Sequence, residues 1–210
     1  MKQIKLVMGV GINDADYPVT KNKMVNGKSV CTWVCPFYSR WRNMLERAYS
    51  ASYQALYPTY IGCSVCDDWI YFTNFKVWME TQDWEGKQLD KDLLHPTNKV
   101  YNPETCVFID QKVNLFLTER GALRGDYPIG VSLHNVTGKY QARCATLDAG
   151  QKSLGCYDTP EEAHKVWLKF KLSVAYELAA QQTDERVAKA LIDRYENYEN
   201  KDSFYPETAL

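Results

Sequence analysis

Hydrophobic and polar positions alternate in short runs through the first thirty residues. IKLVMGVGI, YPVT and KMVNGKSV read as strand-like pieces joined by turns. Asn26-Gly27, between Val25 and Lys28, is a strong hairpin signal because both residue types accept positive φ. From Pro36 the period lengthens. Trp41, Met44, Leu45 and Ala48 fall at i, i+3, i+4 and i+7, which predicts an amphipathic helix opened by Pro36. A loop with Pro58 follows. Residues 67–80 form a second helix-length segment, with Asp67 and Asp68 in its first turn where the helix dipole favours them. Leu89 to Leu94 then reads as a short strand, residues 95–104 as a turn-rich loop, and Cys106 to Ile109 as another strand. The run from Gln111 to Arg120 is helical and closes at Gly121. Residues 88–120 thus propose strand, loop, strand, helix.

A boundary is expected near residues 121–128. The next fifty residues hold three short strands, 128–135, 138–147 and 152–158, separated by turns at 136–139 and 148–150. Thr159-Pro160-Glu161-Glu162 then starts a helix with an N-cap Thr, Pro at the first helical position and Glu at the third. That helix is expected to run to about Gln182. Val187, Ala190, Leu191 and Tyr195 share one face of a last helix. The pattern is α+β, divided at 1–35, 36–125, 126–182 and 183–210. Period-2 alternation puts Tyr140, Ala142 and Cys144 on one face of the C-terminal sheet, to pack on the helix through Ala163, Val166, Trp167 and Phe170. The other face carries Lys139, Gln141 and Arg143, with Ser132, His134 and Lys152 from neighbouring strands.

Composition narrows the class. With 210 residues, 45% of them hydrophobic, and no run near the roughly 18 apolar residues of a membrane span, a globular chain of one or two domains is expected. The N-terminus has no small-residue cleavage site, so no secretory signal is expected and the location implied is cytoplasmic. The net charge of −1 argues against a strongly cationic nucleic-acid binder. Divided, it is +1 over residues 1–126, +1 over 127–180 and −3 over 181–210, so the last segment is an acidic tail and any DNA contact must come from local clusters. The seven Cys are an odd number, and reduced thiols or a metal site suit them better than a disulfide framework. Cys31 and Cys35 with Cys63 and Cys66 offer four thiolates in two close pairs, as a structural Zn2+ requires, although Cys66 also fits a core position. Cys106, Cys144 and Cys156 lie on predicted strands and read as buried small hydrophobes.

Several motifs then fall in one order. They are Trp41-x-x-Met44-x-x-Arg47, Tyr60-x-Gly62, Val65-Cys66-x-x-Trp69, Leu89-Asp90-Lys91-Asp92, Tyr101-Asn102-Pro103-Glu104-Thr105-Cys106 and Asn114. Together they resemble the phage and intron-associated HNH homing endonucleases. Ile129-Gly130-Val131, Gly138-Lys139-Tyr140-Gln141-Ala142 and the segment from Leu154 to Ala163 look like an AP2 domain, the second DNA-binding module such proteins often carry. The resemblance spans residues 36–180. It implies an HNH-like ββα-metal core over 36–125, an AP2-like three-stranded antiparallel sheet packed on a helix over 126–182, and double-stranded DNA as partner. If the chain is phage-encoded, its location is the host cytoplasm.

The resemblance also implies a site. Asp90 matches the metal-binding Asp, and Asn114 the later helix Asn; they would hold Mg2+ or Mn2+. Lys91 stands where the general-base His of active enzymes would be, and Thr105 replaces a motif Asn at a further ligand position. A Lys with a pKa of about 10 is a poor base at neutral pH, so Asp92 or His95 would have to aid the water. On the residues alone, the Asp90 to Asp92 triplet is also what an ordinary solvated charged strand looks like. Arg40, Arg42 and Arg47 on the first helix become candidates for phosphate contact, and the sheet face Ser132, His134, Lys139, Gln141, Arg143 and Lys152 for groove contact, since Arg and Gln can bond guanine and adenine bidentately. His134 and His164 have no partner evident in sequence and read as structural or exposed. Two functions follow: a site-specific, metal-dependent DNA endonuclease, or a degenerate descendant that binds DNA without cutting it or binds a host protein such as a defence factor.

Overall fold

Asn26 and Gly27 adopt φ of 50° and 74°, and they join β1 (Thr20–Val25) to β2 (Lys28–Val34) in an antiparallel hairpin. In the computed structural model, which describes residues 5–118, 127–147 and 150–198, the chain divides into two units, 1–108 and 109–210. The fold is α+β, built from small sheets and helices. No helix among the described residues is long and apolar enough to cross a membrane. The expected turn at 148–150, the helix end at Gly121 and the far end of the acidic tail fall wholly or partly outside the described residues.

The first unit is built around α1 (Pro36–Tyr49). Its predicted apolar stripe, Trp41, Met44, Leu45 and Ala48, is the buried face. The indole N–H of Trp41 donates to the Trp69 carbonyl at 2.7 Å, which satisfies the one polar group on a fully buried ring. The segment expected as one helix over 67–80 is instead a 3-10 turn at Asp67–Ile70, an extended Tyr71, and α3 (Phe72–Glu80). The break has a long-range cause. Ile12 runs parallel to Tyr71, donating its N–H to the Ile70 carbonyl and accepting one from Phe72 N. Asp14, not Asp67 or Asp68, serves the start of α3, taking hydrogen bonds from the Thr73 backbone N–H and hydroxyl. The apolar run before it is no strand beyond an isolated bridge. Val7 and Gly11 close a tight turn, and a Cβ on Gly11 would lie 2.3 Å from Leu45 Cδ1, so this segment sits directly against α1.

α2 (Ala51–Leu56) and a 3-10 turn at Pro58–Tyr60 lead to β3 (Ser64–Val65), which pairs in parallel with β5 (Val100–Tyr101). β4 (Gln88–Asp90) pairs with β6 (Val107–Ile109). The strand expected from Leu89 to Leu94 thus stops at Asp90.

In the second unit, α4 (Gln111–Leu117) is capped by Asp110, whose carboxylate accepts from Val113 N at 2.8 Å. β7 (Val131–His134), β8 (Lys139–Ala145) and β9 (Gln151–Tyr157) form an antiparallel sheet in that order, packed on α5 (Pro160–Ala179). Thr159 caps α5 as its sequence predicts, accepting from Glu162 N at 3.2 Å, and the helix ends at Ala179 rather than near Gln182. α6 (Glu185–Glu196) buries Val187, Leu191 and Tyr195.

The division falls earlier than the expected 125/126 boundary because α4 is tied to α5 and α6. The buried Lys171 ammonium donates to the Phe116 carbonyl at 2.7 Å and stands 3.9 Å from the Phe116 ring centroid, while Arg194 reaches the Leu117 carbonyl. Two cations therefore meet the last carbonyls of one helix, where its dipole is negative. Gly130 (φ +81°), next to β7, lies directly against α5, and a Cβ there would lie 2.1 Å from Trp167 Cδ1. Gly130→Ala is expected to destabilise the protein by about 1–3 kcal/mol through overpacking and backbone strain, read as a lower urea midpoint.

Candidate functional site

The loop between β4 and β6 carries most of the residues that the resemblance marks as catalytic. Asp90 ends its strand because its carboxylate turns back on the chain, with Oδ1 accepting from Asp92 N at 3.0 Å and Leu93 N at 2.7 Å. Lys91 points inward with only 6% of its surface exposed. Its ammonium donates to Asp92 Oδ2 at 2.9 Å and to the Asn98 carbonyl at 3.0 Å, and it lies 6.0 Å from the Tyr101 ring centroid. Asn98 closes the loop from the other side. Its Nδ2 donates to the carbonyls of Lys91 (2.6 Å) and Val100 (2.8 Å) and to the Thr105 hydroxyl (3.2 Å). Thr105 Oγ1 lies 3.0 Å from Asn102 Oδ1, which also accepts from Glu104 N and Thr105 N. Thr105 is thereby part of a turn rather than a free ligand. Asp92 and His95 are exposed, and the His95 carbonyl accepts from Asn98 N.

Electrostatics fix the protonation of this loop. Burial, followed by the negative charge of Asp92, raises the Asp90 pKa; the two backbone N–H bonds and Lys91 oppose that rise without cancelling it. Burial pulls Lys91 down, but its hydrogen bond to Asp92 and the charge behind it outweigh burial, so its pKa stands above the ordinary lysine value. Lys91 is therefore a protonated donor at neutral pH. It cannot serve as the base that its place in the motif would require.

A divalent cation needs several oxygen donors free to turn toward it. Here Asp90 Oδ1 is taken by two backbone N–H groups, and Asp92 Oδ2 by an ammonium whose charge acts on both carboxylates. One oxygen of each carboxylate is therefore engaged, and the Lys91 ammonium beside them opposes the charge of a bound Mg2+ or Mn2+. Asn114 lies on α4 in the second unit, half-buried, with its backbone N–H on the Asp110 carbonyl.

The four thiols named for zinc lie in different settings. Cys31 is exposed on β2, its Sγ donating to the Trp33 carbonyl at 3.4 Å; Cys35 is buried beside Tyr17 at the start of α1; Cys63 is buried and Cys66 half-buried. Among the described residues no three His, Cys, Asp or Glu side chains gather to hold a metal ion.

Arg40 and Arg47, named for phosphate contact, anchor β4 to α1. Arg40 Nη2 donates to the Lys87 carbonyl at 3.0 Å and Arg47 Nη1 to the Leu89 carbonyl at 3.3 Å, with the Arg47 guanidinium 5.6 Å from the Tyr60 ring centroid. Arg42 alone of the three is fully exposed.

The outer face of β7–β9 does assemble. Cross-strand register places Ser132, Gln141 and Cys156 in one row, His134 beside Lys139, and Arg143 beside Ser153. Gln141 Nε2 donates to Ser153 Oγ at 3.1 Å, His134 Nδ1 meets Thr137 Oγ1 at 2.9 Å, and Lys139 pairs with Asp158 at 2.9 Å. Tyr140, Ala142 and Cys144 face α5 as expected. Two expectations fail. Lys152 lies on the helix side, its ammonium 4.8 Å from the Phe170 ring centroid, and Cys156 is exposed on the outer face. A bulge accounts for Lys152, whereas Cys156, beyond it, keeps the outer face of its partner Gln141. Gly155 pairs with Ala142 but Ser153 with Arg143, so Leu154 is an extra residue, packed inward, and every position before it changes face. Ser153 thus replaces Lys152 in the outer set. A glycine within a strand pattern was the available signal, and Gly155 has φ of +118°. Asn98 was missed as well, and nothing local marks it, since its role depends on closing a loop. His164 is structural, with Nδ1 2.9 Å from the Ile129 carbonyl.

No protein-family model, curated protein or solved structure matches this chain.

Two outcomes follow from this geometry. Because the Asp90 pKa is raised in the folded state, ionising it costs stability, and that cost grows as pH rises from about 4, the ordinary Asp value, through the folded value. Asp90→Asn keeps the Oδ1 acceptor and removes the charge. Urea denaturation as a function of pH should therefore show a smaller loss of stability across this window than in the unmodified protein. Purified chain should also hold no stoichiometric zinc by elemental analysis, and a chelator should leave its thermal midpoint unchanged.

Proposed function

We propose that this protein binds double-stranded DNA without cleaving it, docking the outer face of β7–β9 in the major groove as the AP2-like resemblance implies, and that its β4–β6 loop is a degenerate HNH-like site kept as scaffold. The observation that carries the reading is the outer face itself. Two cations, Lys139 and Arg143, flank the amide of Gln141, with small hydroxyl residues Ser132 and Ser153 around it and the apolar side committed to α5. Arg and Gln are the side chains that bond base edges bidentately, and Lys reaches phosphate. The Lys139 pair with Asp158 is exposed on both sides, so it exchanges for a phosphate at small cost.

The endonuclease reading, with Mg2+ or Mn2+ at Asp90, is supported by motif spacing and by the mutual repulsion of Asp90 and Asp92, which a cation would relieve. Against it stand the protonated Lys91 in place of a base and its ammonium, which competes with a cation for the charge of Asp90 and Asp92.

A gel-shift titration on phage and bacterial genomic fragments, with cleavage followed in the same tubes, tests both. Binding without cutting is expected in Mg2+ or Mn2+, and Asp90→Ala should leave binding unchanged. Arg143→Ala should weaken binding to the preferred fragment by about 1–3 kcal/mol, the value of one bidentate base contact. Metal-dependent cutting lost in Asp90→Ala would establish the nuclease instead. A chain that binds no duplex DNA overturns the reading and moves a protein partner to first place.

A further inference from the structure

The β1–β2 hairpin is used neither by the Asp90 loop nor by the second-unit sheet. Every residue of both strands is exposed, among them the large apolar side chains Met24, Val25, Val30 and Trp33. A two-stranded ribbon with no buried face is marginal in water, so its side chains call for a role.

The register sorts them. Val25 lies opposite Lys28, Lys23 opposite Val30 and Lys21 opposite Trp33. Residues paired across an antiparallel ladder share a face, as do alternate residues along a strand. A register shift between Lys21 and Asn22 makes Thr32 an extra residue and returns Trp33 to the face of Lys21. Consistent with this, the Lys21 ammonium lies 5.2 Å from the Trp33 ring centroid. One face therefore carries Lys21, Lys23, Lys28, Val25, Val30 and Trp33. All three lysines of the hairpin are on it, and no Asp or Glu occurs from Thr20 to Val34. Successive lysines on one strand face stand about 7 Å apart. None of the three has a carboxylate partner in the ion pairs of the described residues. Like charges gathered on one ribbon face repel each other, and a polyanion removes that cost.

We propose that this ribbon is a second nucleic-acid-binding element that lays its lysine face into a groove of duplex DNA, with the lysines on phosphates and Trp33 and the valines against sugar and base edges. A two-stranded ribbon fits the major groove, which is about 12 Å wide. The lysines and apolar side chains alternate on the same face. Burying the apolar part in a lipid surface would drag the ammonium groups with it, and this distinguishes the face from a membrane-binding one, where the two are segregated. The partner's identity rests on the proposed function, but the residues are different, so each can fail alone.

The test uses the full chain and a fluorescently labelled DNA duplex, with anisotropy titrations over a series of salt concentrations. The combined Lys21→Ala, Lys23→Ala and Lys28→Ala variant should bind about 10-fold more weakly or worse at low salt. Its slope of log affinity against log salt should be shallower by about 2.7, at about 0.9 per phosphate contact. The corresponding triple change to Arg should restore both, and circular dichroism melting should not move. Unchanged affinity and slope in the Ala variant overturn the inference. So does loss of binding to phosphatidylserine vesicles with duplex binding intact, which would make the ribbon a membrane element. A paired Gln141→Ala, Arg143→Ala variant separates the two readings. If only that variant weakens binding, the sheet stands and the ribbon falls; if only the lysine variant does, the ribbon stands and the sheet falls.

Discussion

Burying the ammonium of Lys91 constrains the whole segment from Asp90 to Thr105. A charge withdrawn from water is tolerated only when paired and bonded, and here the bonds come from Asp92, the Asn98 carbonyl and the face of Tyr101. Each partner has to be brought to the ammonium by a turn of backbone. Asp90 caps the first turn, and Asn98 ties Lys91, Val100 and Thr105 together. Arg47 fixes β4 from below through the Leu89 carbonyl. The short pairings of β3 with β5 and β4 with β6 involve too few residues to hold the sixteen residues from Asp90 to Thr105 by backbone hydrogen bonds alone. The side-chain network is what orders it.

That network bears on the chemistry too. A general base has to lose its proton near the working pH and face the water it activates. Lys91 does neither: its hydrogens point at a carboxylate and a carbonyl within the protein, and its pKa is held above the ordinary value. Moving Asp92 would remove the one carboxylate that the ammonium bonds, and moving Asp90 would release two backbone N–H groups. The polar groups that the resemblance marks are present in outline, and Lys91 links Asp92 to the Asn98 carbonyl.

What was legible in the sequence follows the range of the interactions. The Asn26-Gly27 hairpin, the buried stripe of α1, the Thr159 cap and the inward face of β8 depend on residues a few positions apart, and each formed as its pattern required. The misses depend on distant partners. Asp14 serves the start of α3 from fifty-nine residues away, and Ile12 breaks the helix that Asp67 and Asp68 seemed to open. The site suffered most from a single extra residue. One bulge at Leu154 exchanged Lys152 for Ser153 on the outer face, because strand faces alternate with period two and an insertion inverts the positions on one side of it.

A net charge of −1 is a poor guide to where the cations are. Arg40 and Arg47 are turned onto backbone carbonyls, Lys91 and Lys171 are buried, and Lys76 and Lys87 pair with acidic neighbours four residues away. Meanwhile the hairpin gathers three lysines without an acid, and the outer sheet face holds Lys139 and Arg143. Sums over long segments average these arrangements away. Counterion release scales with the number of phosphates neutralised, so what matters is how many cations stand together on one face. Under the proposed DNA-binding reading, discrimination then has to come from contacts that depend on the base. Gln141 and Arg143, side by side on a sheet face whose other side is locked to α5, are the residue types that can supply it.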